Sequence, residues 1–199
     1  LDVSDLVFID PVGTGYSRPL GHAKPQEFQG VTADVRSVGE FIRLWTAKNG
    51  RWNSPRFLAG ESYGTTRAAA LVNHLQGEGV FFNGVILVSA ILNFQTARFE
   101  PGNDLPYILF LPTYAATAWY HGTLPSKPAD LGAFLDEVRQ FARTEYAQAL
   151  MEGARLAPER RRAVVEKLAR YTGLSPAYLE QTDLRIHIQR FTKELRRTE

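Results

Sequence analysis

Two rhythms of apolar and polar residues run along this chain, and one gives way to the other near residue 93. In the first, short unbroken apolar runs alternate with stretches of three- and four-residue periodicity. Leu6-Val7-Phe8-Ile9 is one such run, as expected of a strand buried on both faces. Asp10-Pro11-Val12-Gly13-Thr14-Gly15 then breaks regular structure, because Pro removes a donor and Gly permits unusual dihedrals. Val31, Val35, Val38, Ile42 and Trp45 recur at helical spacing and predict an amphipathic helix over residues 32–48, with Gly50 as its stop. Residues 57–59 read as a second strand and residues 65–76 as a second helix, with Ala68, Leu71, Val72 and Leu75 on one side. Residues 85–88 read as a third, buried strand. Strand, helix, strand, helix, strand predicts an α/β fold with a parallel sheet and right-handed crossovers.

Beyond Asn93 no strand signal recurs. Residues 105–120 are apolar and aromatic almost all round, with Pro106 near the start and Pro112 inside, which predicts a buried helix that is kinked or split. Residues 130–150 carry Phe134, Leu135, Val138, Phe141 and Ala142 on one face of a long helix. Residues 158–171 predict another, closed by Gly173. Ser175-Pro176 reads as an N-cap followed by Pro at the first helical position. A charged helix over residues 188–197 completes the pattern. The turn signals of residues 95–104, Pro101 and Gly102 among them, place a boundary between a core over 1–104 and a helical region over 105–199.

Composition narrows the chemistry. The 199 residues include no Cys, which excludes disulfides, thiolate metal sites and cysteine nucleophiles. No apolar run approaches the roughly 20 residues of a membrane-spanning helix. The net charge of +2 is too balanced to make nucleic acid the main partner. Residues 151–199 hold 11 basic and 7 acidic residues, a net of +4 that leaves −2 on the first 150. That excess, which includes Arg160, Arg161, Arg162, Arg190, Arg196 and Arg197, reads as a solvated helix face. No His/Asp/Glu set has ligand spacing and no Walker-type loop is present, so neither a metal nor a cofactor is expected. Leu1 is not an initiator methionine and residues 1–9 lack the parts of a signal peptide. The expectation is a chain that starts inside a longer protein, so the missing signal says nothing about location.

Gly60-Glu61-Ser62-Tyr63-Gly64 is the most informative stretch. It follows a predicted strand and precedes a predicted helix, the context that gives G-x-S-x-G its mechanism. A tight strand-to-helix turn strains the serine, and Gly60 and Gly64 let neighbouring backbone approach without a Cβ clash. The Ser62 hydroxyl then stands clear of the sheet at a helix N-terminus, and the Tyr63 backbone N–H is placed to donate to an oxyanion. The bland alternative is a purely structural turn.

Together with Phe8-Ile9-Asp10-Pro11-Val12-Gly13-Thr14-Gly15-Tyr16-Ser17, this block resembles the serine carboxypeptidase family, peptidases of the α/β-hydrolase fold. Gly102-Asn103-Asp104-Leu105-Pro106-Tyr107, through His121-Gly122, looks like bacterial members. The resemblance covers essentially the whole chain. It implies a partial α/β-hydrolase sheet over residues 1–104 and a helical cap, the family's insertion over the active site, over 105–199. It implies Ser62 as the acylated nucleophile, the Tyr63 N–H as one oxyanion donor, and Glu61 as a binder of the peptide's terminal carboxylate. In that last role Glu61 shares a proton with a second acid, because two close carboxyls cannot both ionise cheaply. A helix-N-terminal acid favoured by the dipole is the alternative for Glu61. Residues 10–17 either line the substrate cleft or only turn the chain. The resemblance also suggests an extracytoplasmic site of action.

A serine hydrolase of this kind needs an acid and then a histidine after the serine, on loops following later strands. None of His22, His74, His121 and His187 follows a predicted strand. The second oxyanion donor belongs on a Gly-rich loop after an earlier strand, and no such segment is present. The expectation is therefore the nucleophile-bearing middle of a carboxypeptidase, inactive alone, acting on peptide substrates when intact. Its three-stranded sheet would have raw edges, covered by self-association or by flanking segments. An esterase or acyltransferase on the same fold, and a non-catalytic binding module that keeps the elbow, are the competing readings.

Overall fold

The computed structural model describes residues 2–197; Leu1, Thr198 and Glu199, the outermost ends of the expected core and cap, lie outside the described residues. The chain divides into two compact units, Leu1–Leu92 and Asn93–Glu199.

The first unit is a small α/β assembly. Helix α1 (Val31–Lys48) ends where Gly50 takes the left-handed conformation, φ +63°. Strand β1 (Phe57–Glu61), helix α2 (Tyr63–Gly77) and strand β2 (Gly84–Val88) form a parallel βαβ unit, with Phe57 opposite Gly84 and Glu61 opposite Val88. Helix α2 packs on both strands and α1 packs on α2. The core holds Val35 and Val38 of α1, Leu71 and Leu75 of α2, and Val80, with Ile9, Ile42 and Leu58 against it.

Two expectations are corrected here. Residues 6–9 are not a strand: among the described residues only β1 and β2 pair, and this segment has no ladder partner. Leu6, Val7 and Phe8 are exposed, Phe8 at 90%, and only Ile9 reaches the core. An apolar run specifies burial but not a partner, and without a partner a strand does not form. Nor is residues 85–88 a buried strand. Val85, Ile86, Leu87 and Val88 alternate between the two faces of the sheet, and all four remain 40–55% exposed. Among the described residues, each strand of the two-stranded sheet also keeps one unpaired edge.

The second unit is helical among its described residues. Helix α3 (Leu105–His121) contains Pro112 without being split by it, and Gly122 ends it at φ +69°. Helix α4 (Leu131–Phe141) is capped by Asp130, whose carboxylate accepts from the Ala133 N–H at 3.1 Å. The single long helix expected here is interrupted by a π-helical turn, Ala142–Tyr146, before α5 (Ala147–Glu152). That turn gains one residue, which lets Phe141, Ala142 and Tyr146 all face inward. Helices α6 (Pro158–Thr172), α7 (Pro176–Gln181) and α8 (Ile188–Glu194) follow. Ser175 caps α7 through its hydroxyl, as the sequence predicts, whereas α8 stops short of residue 197.

The core of this unit gathers Leu111, Tyr114, Val138, Tyr146, Leu168 and Leu179. The buried Tyr146 hydroxyl donates to the Leu184 carbonyl at 2.6 Å, and the Tyr114 hydroxyl donates to that of Ile186 at 3.2 Å. These bonds hold the turn in which Asp183 and Leu184 adopt positive φ. The arginine cluster is ion-paired: Arg160 with Glu152, Arg161 with Glu180 and Asp183, and Arg162 with Glu159. No helix among the described residues is long and apolar enough to cross a membrane.

Candidate active site at the strand-to-helix turn

Ser62 stands between β1 and α2 at φ 53° and ψ −121°, a region that side-chain-bearing residues rarely occupy. Three anchors hold it there. Its N–H donates to the Val88 carbonyl at 3.0 Å, extending the ladder one residue past β1. Its carbonyl accepts from the Thr65 N–H at 2.9 Å and from the Thr65 hydroxyl at 2.7 Å. The fully buried Thr65 oxygen in turn accepts from the Ile91 N–H at 2.9 Å, and the Thr66 hydroxyl donates to the Ile91 carbonyl. Helix α2 thereby ties the turn to the segment that leaves β2.

The Ser62 side chain is exposed, and its hydroxyl makes no hydrogen bond within the described residues. Tyr63 opens α2, where the first amides of a helix have no intrahelical acceptor and the dipole is positive. Strain and an exposed hydroxyl at the positive end of a helix suit attack on a carbonyl carbon and stabilisation of the oxyanion that results.

The two glycines differ. A Cβ on Gly60 would overlap the Gly64 carbonyl and lie 2.9 Å from the Thr65 nitrogen, all backbone. A Cβ on Gly64 would meet nothing within 4 Å. The expected steric role thus belongs to Gly60, where α2 crosses close over β1, and not to Gly64.

Glu61 is exposed at the end of β1, and among the described residues no second carboxyl makes a hydrogen-bond contact with it. His74 lies on α2 about 18 Å along the axis from Ser62 at 1.5 Å per residue. Its ring lies against Gly39, with Nε2 3.5 Å from Glu78. In the second unit, His187 accepts from the Gln189 N–H and rests on Phe99, and His121 meets Tyr120 edge-on. Each of these three has a local role. In the loop over residues 10–17, the Asp10 carboxylate accepts from the Tyr16 N–H at 2.9 Å. A Cβ on Gly15, at φ +46°, would fall on that carboxylate. The loop closes on itself and leaves the Tyr16 side chain 98% exposed. No group of three or more His, Asp or Glu residues among the described residues forms a metal site.

Three residues near the turn had no part in the sequence reading. Ser89 directly follows β2 and so sits beside Ser62; it too has positive φ, 52°. Asp34 of α1 is buried and accepts from Arg67 Nε at 2.7 Å, and the Arg67 guanidinium lies over the Tyr63 ring. The Tyr63 phenol is pushed above its ordinary pKa by burial and, next, by the Asp34 carboxylate. Asp34 did carry a signal: it falls on the apolar stripe of α1 beside Val35 and Val38, where a lone carboxylate needs a partner. No family model matches this chain, and neither a curated protein nor a solved structure matches it.

Proposed function

We propose that Ser62 is the nucleophile of a serine-type carboxypeptidase built on an α/β-hydrolase sheet. The strained, outward-facing serine between a parallel strand and a helix carries this reading. Ser62 Oγ attacks the carbonyl carbon of the C-terminal peptide bond. The oxyanion accepts from the Tyr63 N–H, the amine leaves with a proton, and water then hydrolyses the acyl ester on Ser62. Glu61 helps bind the substrate's terminal carboxylate. Within α2, His74 lies about 18 Å along the axis from Ser62 and beside Glu78, so it is not the base that takes the Ser62 proton.

The test uses the complete product of the gene that encodes this chain, assayed on a blocked dipeptide and on its C-terminal amide from acidic to neutral pH. The expected result is release of the terminal amino acid, a preference for the free acid, and loss of release on Ser62→Ala. Glu61→Gln keeps the acyl chemistry and changes the pH dependence. Undiminished release by Ser62→Ala overturns the reading. An esterase or acyltransferase is the second reading, favoured by Glu61 standing without a neighbouring carboxyl; equal turnover of acid and amide at every pH selects it.

A further inference from the structure

A largely buried ion pair lies between α1 and α2, and burial alone gives such a pair little net stability over apolar contact. Asp34 is 8% exposed, and the paired side chains of Arg67 and Asp34 are 24% and 10% exposed. Both ions are largely withdrawn from water, and replacing such a pair by apolar residues is often neutral or stabilising. Apolar neighbours are at hand in Val35, Val38 and Leu71. What an ion pair supplies and apolar contact does not is direction. Arg67 lies four residues, about one turn, after Tyr63 on α2. Its guanidinium carbon is 5.2 Å from the Tyr63 ring centroid, within cation–π range. With Nε bonded to Asp34 on a different helix, the guanidinium plane cannot turn freely, and it presents a fixed face to the ring. Tyr63 is the first residue of α2, so holding its ring adds a side-chain anchor to the peptide, Ser62 C=O with Tyr63 N–H, that Thr65 holds through the Ser62 carbonyl.

We propose that the Asp34–Arg67 pair is a positioning device that holds Tyr63 so that its N–H faces the oxyanion formed at Ser62. The proposal rests on the reading of Ser62 as nucleophile. Asp34 and Arg67 are positioning residues acting through Tyr63, and touch no substrate.

The test compares the unmodified protein with Asp34→Leu/Arg67→Met, which removes the charges and retains apolar bulk, and with Arg67→Lys, which keeps the charge but loses the plane. Two measurements are made. In the complete gene product, a fluorophosphonate reacts with Ser62, and saturation kinetics separate initial binding from the bond-forming step. The double variant is expected to keep its urea midpoint while the bond-forming step slows about tenfold or more and binding stays within about twofold. Arg67→Lys is expected to slow it by a similar factor. In the 199-residue chain, the Tyr63 amide resonance is expected to move in both variants while resonances of the second unit stay. Should the double variant fail to fold, Tyr63→Leu, which keeps the N–H and drops the ring, is expected to slow the same step. An unmoved Tyr63 amide, or an unchanged bond-forming step, overturns the proposal. Equal labelling of Ser62→Ala overturns the nucleophile reading instead, and the amide measurement still decides the clamp.

Discussion

Replacing Gly60 by Ala tests the geometry of the turn without any catalytic assay. The new Cβ would overlap the carbonyl of Gly64 and sit 2.9 Å from the Thr65 nitrogen. None of these atoms belongs to a flexible side chain. The start of α2 is also pinned, through Ser62 to Val88 and through Thr65 to Ile91. Relief therefore requires α2 to lift off β1 or the Ser62 anchors to break. Overpacking of this kind costs about 1–3 kcal/mol, and contact with fixed backbone puts Gly60→Ala near the upper end, at about 3 kcal/mol. Gly64→Ala meets nothing within 4 Å. Ala also exceeds Gly in helix propensity by up to about 1 kcal/mol, so this substitution is expected to be neutral or mildly stabilising. The assay is urea unfolding of the chain, followed by pulsed hydrogen exchange on peptides from α1 and α2, which reports on the first unit alone. Equal effects at the two glycines, or a cost below about 1 kcal/mol at Gly60, would refute the reasoning.

Ser89→Gly is expected to stabilise the first unit by about 1 kcal/mol by relieving its positive φ, and Ser89→Ala is not; the same unfolding assay distinguishes them. Thr65→Val removes a buried hydroxyl that donates to the Ser62 carbonyl and accepts from the Ile91 N–H, so a loss of about 1–3 kcal/mol is expected, with faster exchange at Ile91. The second unit should lose stability in alkali. Tyr171 is pushed up to about 12 by burial and, next, by its hydrogen bond to Glu137, and burial raises Tyr114 and Tyr146 as well. A raised folded-state pKa gives stability that is complete below the unfolded value of about 10 and falls as pH rises through the folded value. The melting temperature of the second unit should therefore hold to about pH 10 and decline above it, with Tyr171→Phe flattening the decline.

Periodicity made most helices legible. The stripe from Val35 through Trp45 marked α1, Ser175 marked a helix start, and Gly50 and Gly173 marked two ends. The turn at Ser62 was legible because glycine spacing and an adjoining strand constrain the backbone locally. Pairing was not. Whether Leu6-Val7-Phe8-Ile9 becomes a strand depends on a neighbour its own pattern does not name, and here it has none among the described residues. The π turn at Ala142–Tyr146 escaped because Phe134, Val138, Phe141 and Ala142 recur at α-helical spacing right up to it, and nothing in that spacing marks an inserted residue. The clamp beneath Tyr63 joins residues 33 apart in sequence. It shows only as an acid on an apolar face and an arginine one turn into α2.

The central claim is that Ser62 is a nucleophile, and site mapping of a covalent adduct tests it most directly. The complete gene product is treated with a fluorophosphonate, digested, and sequenced by mass spectrometry. The expected adduct is on Ser62, within the peptide that joins β1 to α2, with no adduct in Ser62→Ala. An adduct on another serine, with Ser62 unmodified in the same sample, would contradict it.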